Sequence, residues 1–165
     1  MARIVSAMTL EKTTMMRILE TAGVAYTHFE YAAGEATNGD EVARLLGKDP
    51  LTVYKTLVTV GRSGKNYVFM LPVAAGLDLK KAALAAGEKS MEMIKSKDLL
   101  PLTGYIHGGC SPIGMRKAFP TFIDETALIC DTITFSAGKI GLQIELPLSD
   151  LQKLITVKPV DLIQV

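Results

Sequence analysis

Two apolar segments joined by a short glycine-bounded link constrain the fold more than any other part of this sequence. Residues 53–60 (VYKTLVTV) and 66–73 (NYVFMLPV) are rich in β-branched and aromatic residues, a composition that favours strands. The link at residues 61–64 (GRSG) has the short length and the glycines that are typical of a hairpin connection. We therefore predict an antiparallel strand pair in this region.

Helical spacing and strand alternation follow one another in an irregular order along the rest of the chain. Apolar spacing and glycine stops predict helices over residues 9–23, 39–50, 77–87 and 149–155. Alternating or β-rich segments predict further strands over residues 24–31, 103–109, 121–125, 128–136 and 141–146. Residues 91–100 are ambiguous and favour a short strand before a helix from about Ser96, and Ser149 is the expected N-cap of the last helix. This order predicts an α+β fold with a mixed or largely antiparallel sheet.

The composition is that of an ordinary globular protein. The length of 165 residues fits one domain, which we expect to span residues 1–165. Hydrophobic residues make up 48% and charged residues 21%, which excludes a disordered chain. The formal net charge of +1 excludes a protein that is held to nucleic acid by bulk charge alone.

The sequence also predicts the compartment. Every apolar window is shorter than the ~18 residues that a membrane span needs, and the apolar run near the N terminus is too short and interrupted for a signal peptide. The two cysteines, Cys110 and Cys130, make no disulfide framework and suit a reducing environment. We expect a cytoplasmic protein without a membrane partner.

Lys55 is the one charged residue within the apolar segment 53–60. Its same-face neighbours are Val53 and Leu57, and the opposite face of the strand is also mostly apolar. A buried ammonium without a partner is costly. Lys55 is therefore expected to extend to the sheet edge, to pair with a carboxylate, or to line a pocket for an anionic or oxygen-rich ligand.

Residues 105–117 (YIHGGCSPIGMRK) combine a glycine pair with a stiffening proline. Gly108 and Gly109 allow positive φ and a close approach of the backbone to a ligand. Successive N–H groups in such a turn can bind phosphate or a carbonyl oxygen that becomes negative. The alternative is an ordinary glycine corner between strands.

A metal site and a catalytic triad are not evident in the sequence. His107 and Cys110 would need two further ligands to hold zinc, and no second such pair is present. Structural roles are favoured for both, because adjacent positions in one turn rarely face each other. We predict no metal and no cofactor.

Tyr31 ends a predicted strand and is either a pocket hydroxyl or a half-buried aromatic residue.

Taken together, several segments resemble the YbaK/EbsC family of aminoacyl-tRNA editing deacylases, relatives of the editing domain inserted in bacterial prolyl-tRNA synthetases. In order along nearly the whole chain from about Val24, the matching segments are 39–58, 71–83, 103–117, 121–125 and 137–146. The VYKTL and GGCSPIG motifs are the most specific. The resemblance implies a mixed, barrel-like β-sheet flanked by helices, in agreement with the α+β prediction.

The resemblance implies trans-acting editing of mischarged tRNA. The bond cleaved would be the ester between cysteine and the 3′ terminal adenosine of Cys-tRNA(Pro), with Cys-tRNA(Cys) as a further substrate. The substrate's own sulfur would attack the carbonyl, which explains why the chain needs no nucleophile of its own. Prolyl-tRNA synthetase is the implied protein partner.

The same resemblance assigns the catalytic residues. Lys55 matches the family's essential lysine and would hold oxygens of the terminal adenosine. Gly108 and Gly109 match the glycines of a GGxxP loop, whose amides would hold the carbonyl oxygen as negative charge develops.

Substrate-binding residues follow in the same way. In the loop, Cys110, Ser111 and Pro112 would line the aminoacyl group, and the Cys110 thiol would take no part in the chemistry. Tyr31 matches a pocket tyrosine, and Gln143 occupies a substrate-binding position.

Gln143 departs from the family pattern. Cysteine-editing members have Asp in the sequence GLDIEL, whereas this chain has GLQIEL, with Gln143 and Glu145 on one strand face. A neutral amide can hydrogen-bond a hydroxyl or ammonium but cannot neutralise a cation. Two alternatives therefore stay open: a deacylase for another small aminoacyl ester such as Ala-tRNA(Pro), and a non-catalytic module that binds the tRNA end.

Overall fold

The computed structural model describes residues 11–165. Its helices are α1 (Thr14–Thr21), α2 (Gly39–Leu46), α3 (Leu79–Ala86), α4 (Ser96–Thr103) and α5 (Leu148–Leu154). Its strands are β1 (Thr27–Glu30), β2 (Tyr54–Gly61), β3 (Asn66–Pro72), β4 (Met91–Met93), β5 (Thr121–Asp124), β6 (Ile133–Lys139), β7 (Leu142–Leu146) and β8 (Val157–Val160). A 3₁₀ turn covers Glu125–Ile129. The predicted α+β class is confirmed.

The predicted hairpin lies at the centre of a five-stranded sheet with the order β4-β2-β3-β5-β8. Strands β2 and β3 are antiparallel and pair Lys55 with Leu71, while β5 and β8 add in parallel to β3. A second, three-stranded antiparallel sheet has the order β1-β7-β6. The mixed sheet predicted from the sequence is therefore two sheets.

The two sheets meet at one isolated parallel bridge between Val53 and Thr134, where the Thr134 N–H donates to the carbonyl of Thr52 at 3.0 Å. Within residues 11–165, β2 and β6 form no further bridge, so the sheets resemble an open barrel rather than a closed one. Residues 110–113 pack against strands of both sheets. Cys110 packs in one apolar cluster with Val58 of β2, and Ile113 packs in another that includes β6.

Helix α2 illustrates how local sequence sets an element's ends. The Asn38 side chain accepts a hydrogen bond from the Glu41 N–H at 3.0 Å and caps the first turn. Gly47 ends the helix with φ +66°, and the next N–H, of Lys48, donates to the Ala43 carbonyl at 3.0 Å. This pair of features is a Schellman motif, which fixes the direction in which the chain leaves the helix.

Three sequence predictions need correction, and one strand was missed. The segment predicted as a strand over 103–109 forms none, because α4 continues to Thr103 and an irregular loop follows Gly104. The strand predicted over 128–136 begins later, at Ile133, after the 3₁₀ turn. Ser149 is not the N-cap of α5, since Pro147 occupies that position without a side-chain hydrogen bond. Strand β8 was not predicted. Of the helix predicted over 9–23, residues 9 and 10 lie outside the described residues.

Candidate functional site

Gln143 lies on the face of the second sheet that points away from the main core. Its neighbours Leu142, Ile144 and Leu146 all belong to the largest apolar cluster, which confirms the predicted alternation. The strand register places Gln143 between Phe29 on β1 and Ser136 on β6. Cross-strand partners project from the same side of a sheet, so these three side chains form one row.

Lys55 extends this row onto the central sheet. Parallel partners share a face, so Val53 and Thr134 project to the same side, and so do Lys55 and Ser136 two residues further along each strand. The bridge between the two sheets therefore brings Lys55 and Gln143 to one side of the molecule, although they are far apart in sequence.

The Lys55 ammonium is half-buried and unpaired. It makes no hydrogen bond or ion pair with any residue of 11–165. Burial lowers the pKa of Lys55, and the negative charge of Asp40 in the first turn of α2 only partly opposes that effect. Of the sequence alternatives, a direct carboxylate pair is thus excluded for the described residues.

The two glycines of the loop meet different requirements. Gly108 has φ +87°, a conformation that side-chain-bearing residues rarely adopt. Gly109 has no positive φ, but a Cβ at this position would lie 3.1 Å from Cα of Lys139. The loop therefore packs directly against the end of β6, and only glycine allows this close approach.

The loop also contains backbone donors without partners. The Gly109 N–H already donates to the Ile106 carbonyl at 3.0 Å, so it is not available to a ligand as the sequence led us to expect. The N–H groups of Gly108, Cys110 and Ser111 donate to no group within residues 11–165, although Cys110 and Ser111 are buried. Unpaired buried amides are uncommon, and they are suitable donors for an oxyanion.

The remaining loop residues are buried. Cys110 packs in a cluster with Val58, Val68 and Leu99, and burial raises the pKa of its thiol to about 12. The Ser111 hydroxyl accepts from the Ile113 N–H at 3.4 Å. Pro112 is buried as well. A thiol with so high a pKa is neutral near pH 7 and is a poor nucleophile.

Tyr31 and the glycine turn lie against the same β6–β7 turn. The Tyr31 N–H donates to the Gly141 carbonyl at 2.9 Å, and a Cβ on Gly141 would lie 2.8 Å from the Tyr31 carbonyl oxygen. A Cβ on Gly108 would contact Ile140 at 3.4 Å. The turn at residues 139–141 thus brings together two predicted site segments.

Three positions of this region were missed by sequence reasoning. Ser136 was predicted only as the last residue of the strand 128–136, but it lies within β6 in the same row as Gln143. The Thr56 hydroxyl oxygen is buried without a hydrogen-bond partner, but Thr56 lies on the face of β2 opposite to Lys55. Phe29 lies opposite Gln143, and only the register of β1 on β7 shows this. The alternation within residues 133–137 could have identified Ser136.

The described residues outside this region contain no second candidate site with the predicted chemistry. Residues 11–165 contain no group of three or more His, Cys, Asp or Glu side chains placed to hold a metal ion. A groove of about 520 Å³ runs between β4 and α4, but its lining contains none of the predicted site residues. The described helices have eight residues or fewer, and none of them has the length and apolarity of a membrane span.

Known proteins are similar to this chain in sequence and in fold. EbsC of Enterococcus faecalis, a proposed Cys-tRNA(Pro)/Cys-tRNA(Cys) deacylase, is 48% identical over 139 residues, which cover 84% of this chain and 85% of EbsC. A solved structure of a proposed trans-editing enzyme for prolyl-tRNA synthetase is 26% identical with a TM-score of 0.82, over 94% of this chain and 100% of that one. A scaffold for computational epitope backbone grafting is 25% identical with a TM-score of 0.81, over 92% and 95% of the two chains.

The family assignment rests on one further match. The family model for the aminoacyl-tRNA editing domain matches residues 34–154, a range that includes Lys55, the glycine loop and Gln143 but not Tyr31. The resemblance stated from the motifs is thereby confirmed: this chain belongs to the aminoacyl-tRNA editing domain family.

Proposed function

We propose that this protein edits mischarged tRNA in trans by cleaving the aminoacyl ester of Cys-tRNA(Pro), and of Cys-tRNA(Cys) as a second substrate. The observation that carries the proposal is the half-buried, unpaired Lys55 ammonium on the same sheet face as Gln143. An unpaired cation in such a place is retained at a cost to stability, which a bound anionic or oxygen-rich ligand would offset. The similarity to EbsC supports the choice of cysteine.

The reaction that fits this site uses the substrate's own thiol. Its sulfur forms a bond to the ester carbonyl carbon, the bond from that carbon to the ribose oxygen breaks, and the thiol proton leaves with the ribose hydroxyl. A cyclic thiolactone and free tRNA result. The protein then only has to hold the aminoacyl group in a reactive geometry, an effect that can lower the barrier by roughly 7–11 kcal/mol.

Backbone amides would stabilise the carbonyl oxygen as it becomes negative. We assign this role to the N–H groups of Gly108, Cys110 and Ser111, which have no protein partner in residues 11–165, rather than to that of Gly109. Each well-placed donor contributes about 3 kcal/mol. Lys55 would hold phosphate or hydroxyl oxygens of the 3′ terminal adenosine, and Tyr31 and Pro112 would border the aminoacyl group.

The substrate-thiol mechanism makes a direct prediction. Purified protein should clear Cys-tRNA(Pro) and leave Ser-tRNA(Pro) largely intact, because a hydroxyl is a far weaker nucleophile than a thiol near neutral pH. The measurement is the fraction of labelled aminoacyl-tRNA remaining with time. Equal clearance of both substrates, or of neither, would contradict the mechanism.

Cys110 provides a second prediction. We expect Cys110→Ala to keep deacylase activity within about threefold of the wild type, because the thiol is neutral and buried and the proposed role belongs to the backbone N–H, which alanine keeps. Steady-state kinetics on Cys-tRNA(Pro) measure this. A folded but inactive Cys110→Ala protein would require a protein-thiol mechanism instead.

Gln143 favours one competing function, the removal of a small acyl group such as alanine from Ala-tRNA(Pro). An amide in this row can hydrogen-bond the substrate's ammonium but cannot neutralise it. Alanine has no thiol, so a bound water would have to attack the ester. A panel of Cys-, Ala- and Ser-tRNA(Pro) distinguishes this reading, which predicts that Ala-tRNA(Pro) is cleared fastest.

We further propose prolyl-tRNA synthetase as a partner and the cytoplasm as the location. A net charge of +1 supports weak independent binding to tRNA, so a synthetase that already holds the tRNA would help delivery. Residues 1–165 would act as one editing domain, which is supported by the packing of α1 and β8 into one apolar cluster.

A further inference from the structure

A half-buried ion pair lies on the same sheet face as the candidate site. The Lys48 ammonium is 2.8 Å from Oε2 of Glu145, and the same oxygen accepts a hydrogen bond from the Thr132 hydroxyl at 2.9 Å. The ammonium also lies 4.6 Å from the centre of the Phe29 ring. The side chains of Lys48 and Glu145 are only 18% and 24% exposed. Through Lys48, the end of α2 is thus joined to β1 at Phe29, to β7 at Glu145, and through Glu145 to Thr132, which directly precedes β6.

The pair holds the C-terminal end of α2. Lys48 directly follows the helix, and its N–H is fixed by the Schellman bond to Ala43. The middle of α2 packs through Ala43 against Val53 and Val73 at the start of the central hairpin. The helix therefore crosses the junction between the two sheets.

Both ends of α2 are close to predicted site residues. The charge of Asp40 in the first turn acts on Lys55. At the other end, Lys48 contacts Phe29, the register partner of Gln143, and Glu145 shares the Gln143 face. Helix α2 thus forms one wall over the face that contains Lys55 and Gln143.

We propose that Lys48 and Glu145 are positioning residues that hold α2 and the Phe29 ring against the aminoacyl site, and so set which acyl groups it accepts. The inference rests on the proposed function, because it concerns the same site. Neither residue needs to touch the substrate. They would act on substrate choice by fixing the width of the space between α2 and the row of side chains that contains Gln143.

The pair is suited to this role because its surroundings favour the charged form of Glu145. Burial by itself raises the pKa of Glu145, but the hydrogen bonds from Lys48 and Thr132 together with the Lys48 charge outweigh it and lower the pKa. Removing one partner leaves the other charge partly buried and unpaired, which favours movement of the helix end toward solvent.

The experiment compares Lys48→Met and Glu145→Gln with the wild type on Cys-, Ala- and Ser-tRNA(Pro). Met retains the apolar stem over Phe29 and removes the charge. We expect kcat/KM for Cys-tRNA(Pro) to fall roughly tenfold in both variants, because small displacements at a reacting group are costly. The substrate ratio, which is kcat/KM for Cys-tRNA(Pro) divided by kcat/KM for each other ester, should fall as well. Lys48→Arg, which keeps the charge, should restore most of the ratio.

Lys81→Met is the matched control. Lys81 is another partly buried lysine that pins a helix through an ion pair, to Asp161 at 3.0 Å, but its helix is α3 and neither partner hydrogen-bonds a predicted site residue. It should leave the substrate ratio unchanged. An unchanged ratio in both Lys48→Met and Glu145→Gln, or an equal loss in Lys81→Met, would overturn the proposal.

Hydrogen exchange separates this proposal from the proposed function. The amides of residues 42–48 should exchange at least roughly tenfold faster in Lys48→Met than in the wild type, and those of α3 should not. If the wild type clears none of the esters, the proposed function fails. In that case the readout is binding of a non-hydrolysable cysteinyl-adenosine analogue. Weaker binding to Lys48→Met but not to Lys81→Met supports the positioning role. If Lys48→Met changes neither analogue binding nor amide exchange, the positioning role is overturned.

Discussion

At the scale of single residues, Lys55 is a group that the fold retains against its own stability. Its pKa is lowered from 10.5 by burial, which means that the folded state binds the proton less tightly than the unfolded chain does. The charged form is therefore penalised at neutral pH. The described residues supply no hydrogen bond or ion pair that offsets this penalty, and the proposed function assigns that role to a bound substrate.

Replacing this lysine should separate activity from stability. We expect Lys55→Met to abolish deacylation and to raise the melting temperature at pH 7, because it removes a half-buried unpaired charge and keeps the apolar stem. The wild-type free energy of unfolding should rise as pH increases from the lowered pKa toward 10.5, since the unfolded chain binds more protons there, and Lys55→Met should lack this rise.

Thermal unfolding at several pH values and deacylation kinetics measure both effects. Lys153→Met is the control, since that lysine is exposed and pairs locally with Asp150 in α5. A lower melting temperature for Lys55→Met than for Lys153→Met would show that Lys55 is a structural residue.

At the scale of elements, α2 connects local sequence to the site. Asn38 and Gly47 define its ends, and the turn after Gly47 directs Lys48 toward Glu145. The Cβ of any other residue at Gly47 would find open space, so the cost of a substitution lies in its φ of +66°. A local backbone preference thereby controls a contact made across the molecule.

Gly47→Ala tests this connection. We expect it to lower the free energy of unfolding by about 1 kcal/mol, the usual cost of a left-handed conformation for alanine, and to reduce kcat/KM as well. Gly87→Ala is the matched variant, because Gly87 ends α3 with φ +73° and also finds open space. Urea denaturation and kinetics of both variants check the prediction. Equal losses of activity would refute a link between the end of α2 and the site.

At the scale of the whole molecule, the C-terminal segment is tied to the central sheet by a buried carboxylate. Asp124 is 1% exposed, and its two oxygens accept from the N–H groups of Leu162 at 2.9 Å and Thr126 at 3.1 Å. Leu162 in turn packs in the apolar cluster under α3. Asp124 thus holds the segment after β8 together with backbone bonds such as that from the Asp78 N–H to the Leu162 carbonyl at 2.8 Å.

Asp124→Ala should lower the free energy of unfolding by about 1–3 kcal/mol, because the buried Leu162 N–H loses its acceptor. Protein that remains folded should keep its substrate preference, since the Asp124 side chain hydrogen-bonds Leu162 and Thr126 and none of the predicted site residues. Denaturant titration and the aminoacyl-tRNA panel measure the two effects. A change in substrate ratio at full folding would contradict this separation of sheet edge and site.

The sequence by itself determined the central hairpin, the α+β class, the start of α2, the face on which Gln143 lies, and the family through the VYKTL and GGCSPIG motifs. These features depend on the side-chain period of strands, on capping residues and on contiguous motifs, all of which are local properties of the chain.

Only the tertiary structure decided which faces meet. The Val53–Thr134 bridge puts Lys55 and Gln143 on one side, the irregular loop after Gly104 leaves the Cys110 and Ser111 amides without partners, and Lys48 reaches Glu145. Strand alternation fixes which residues share a face, but it carries no information about which strand becomes the neighbour. That choice depends on burying apolar surface between segments distant in the chain, and no local pattern encodes it.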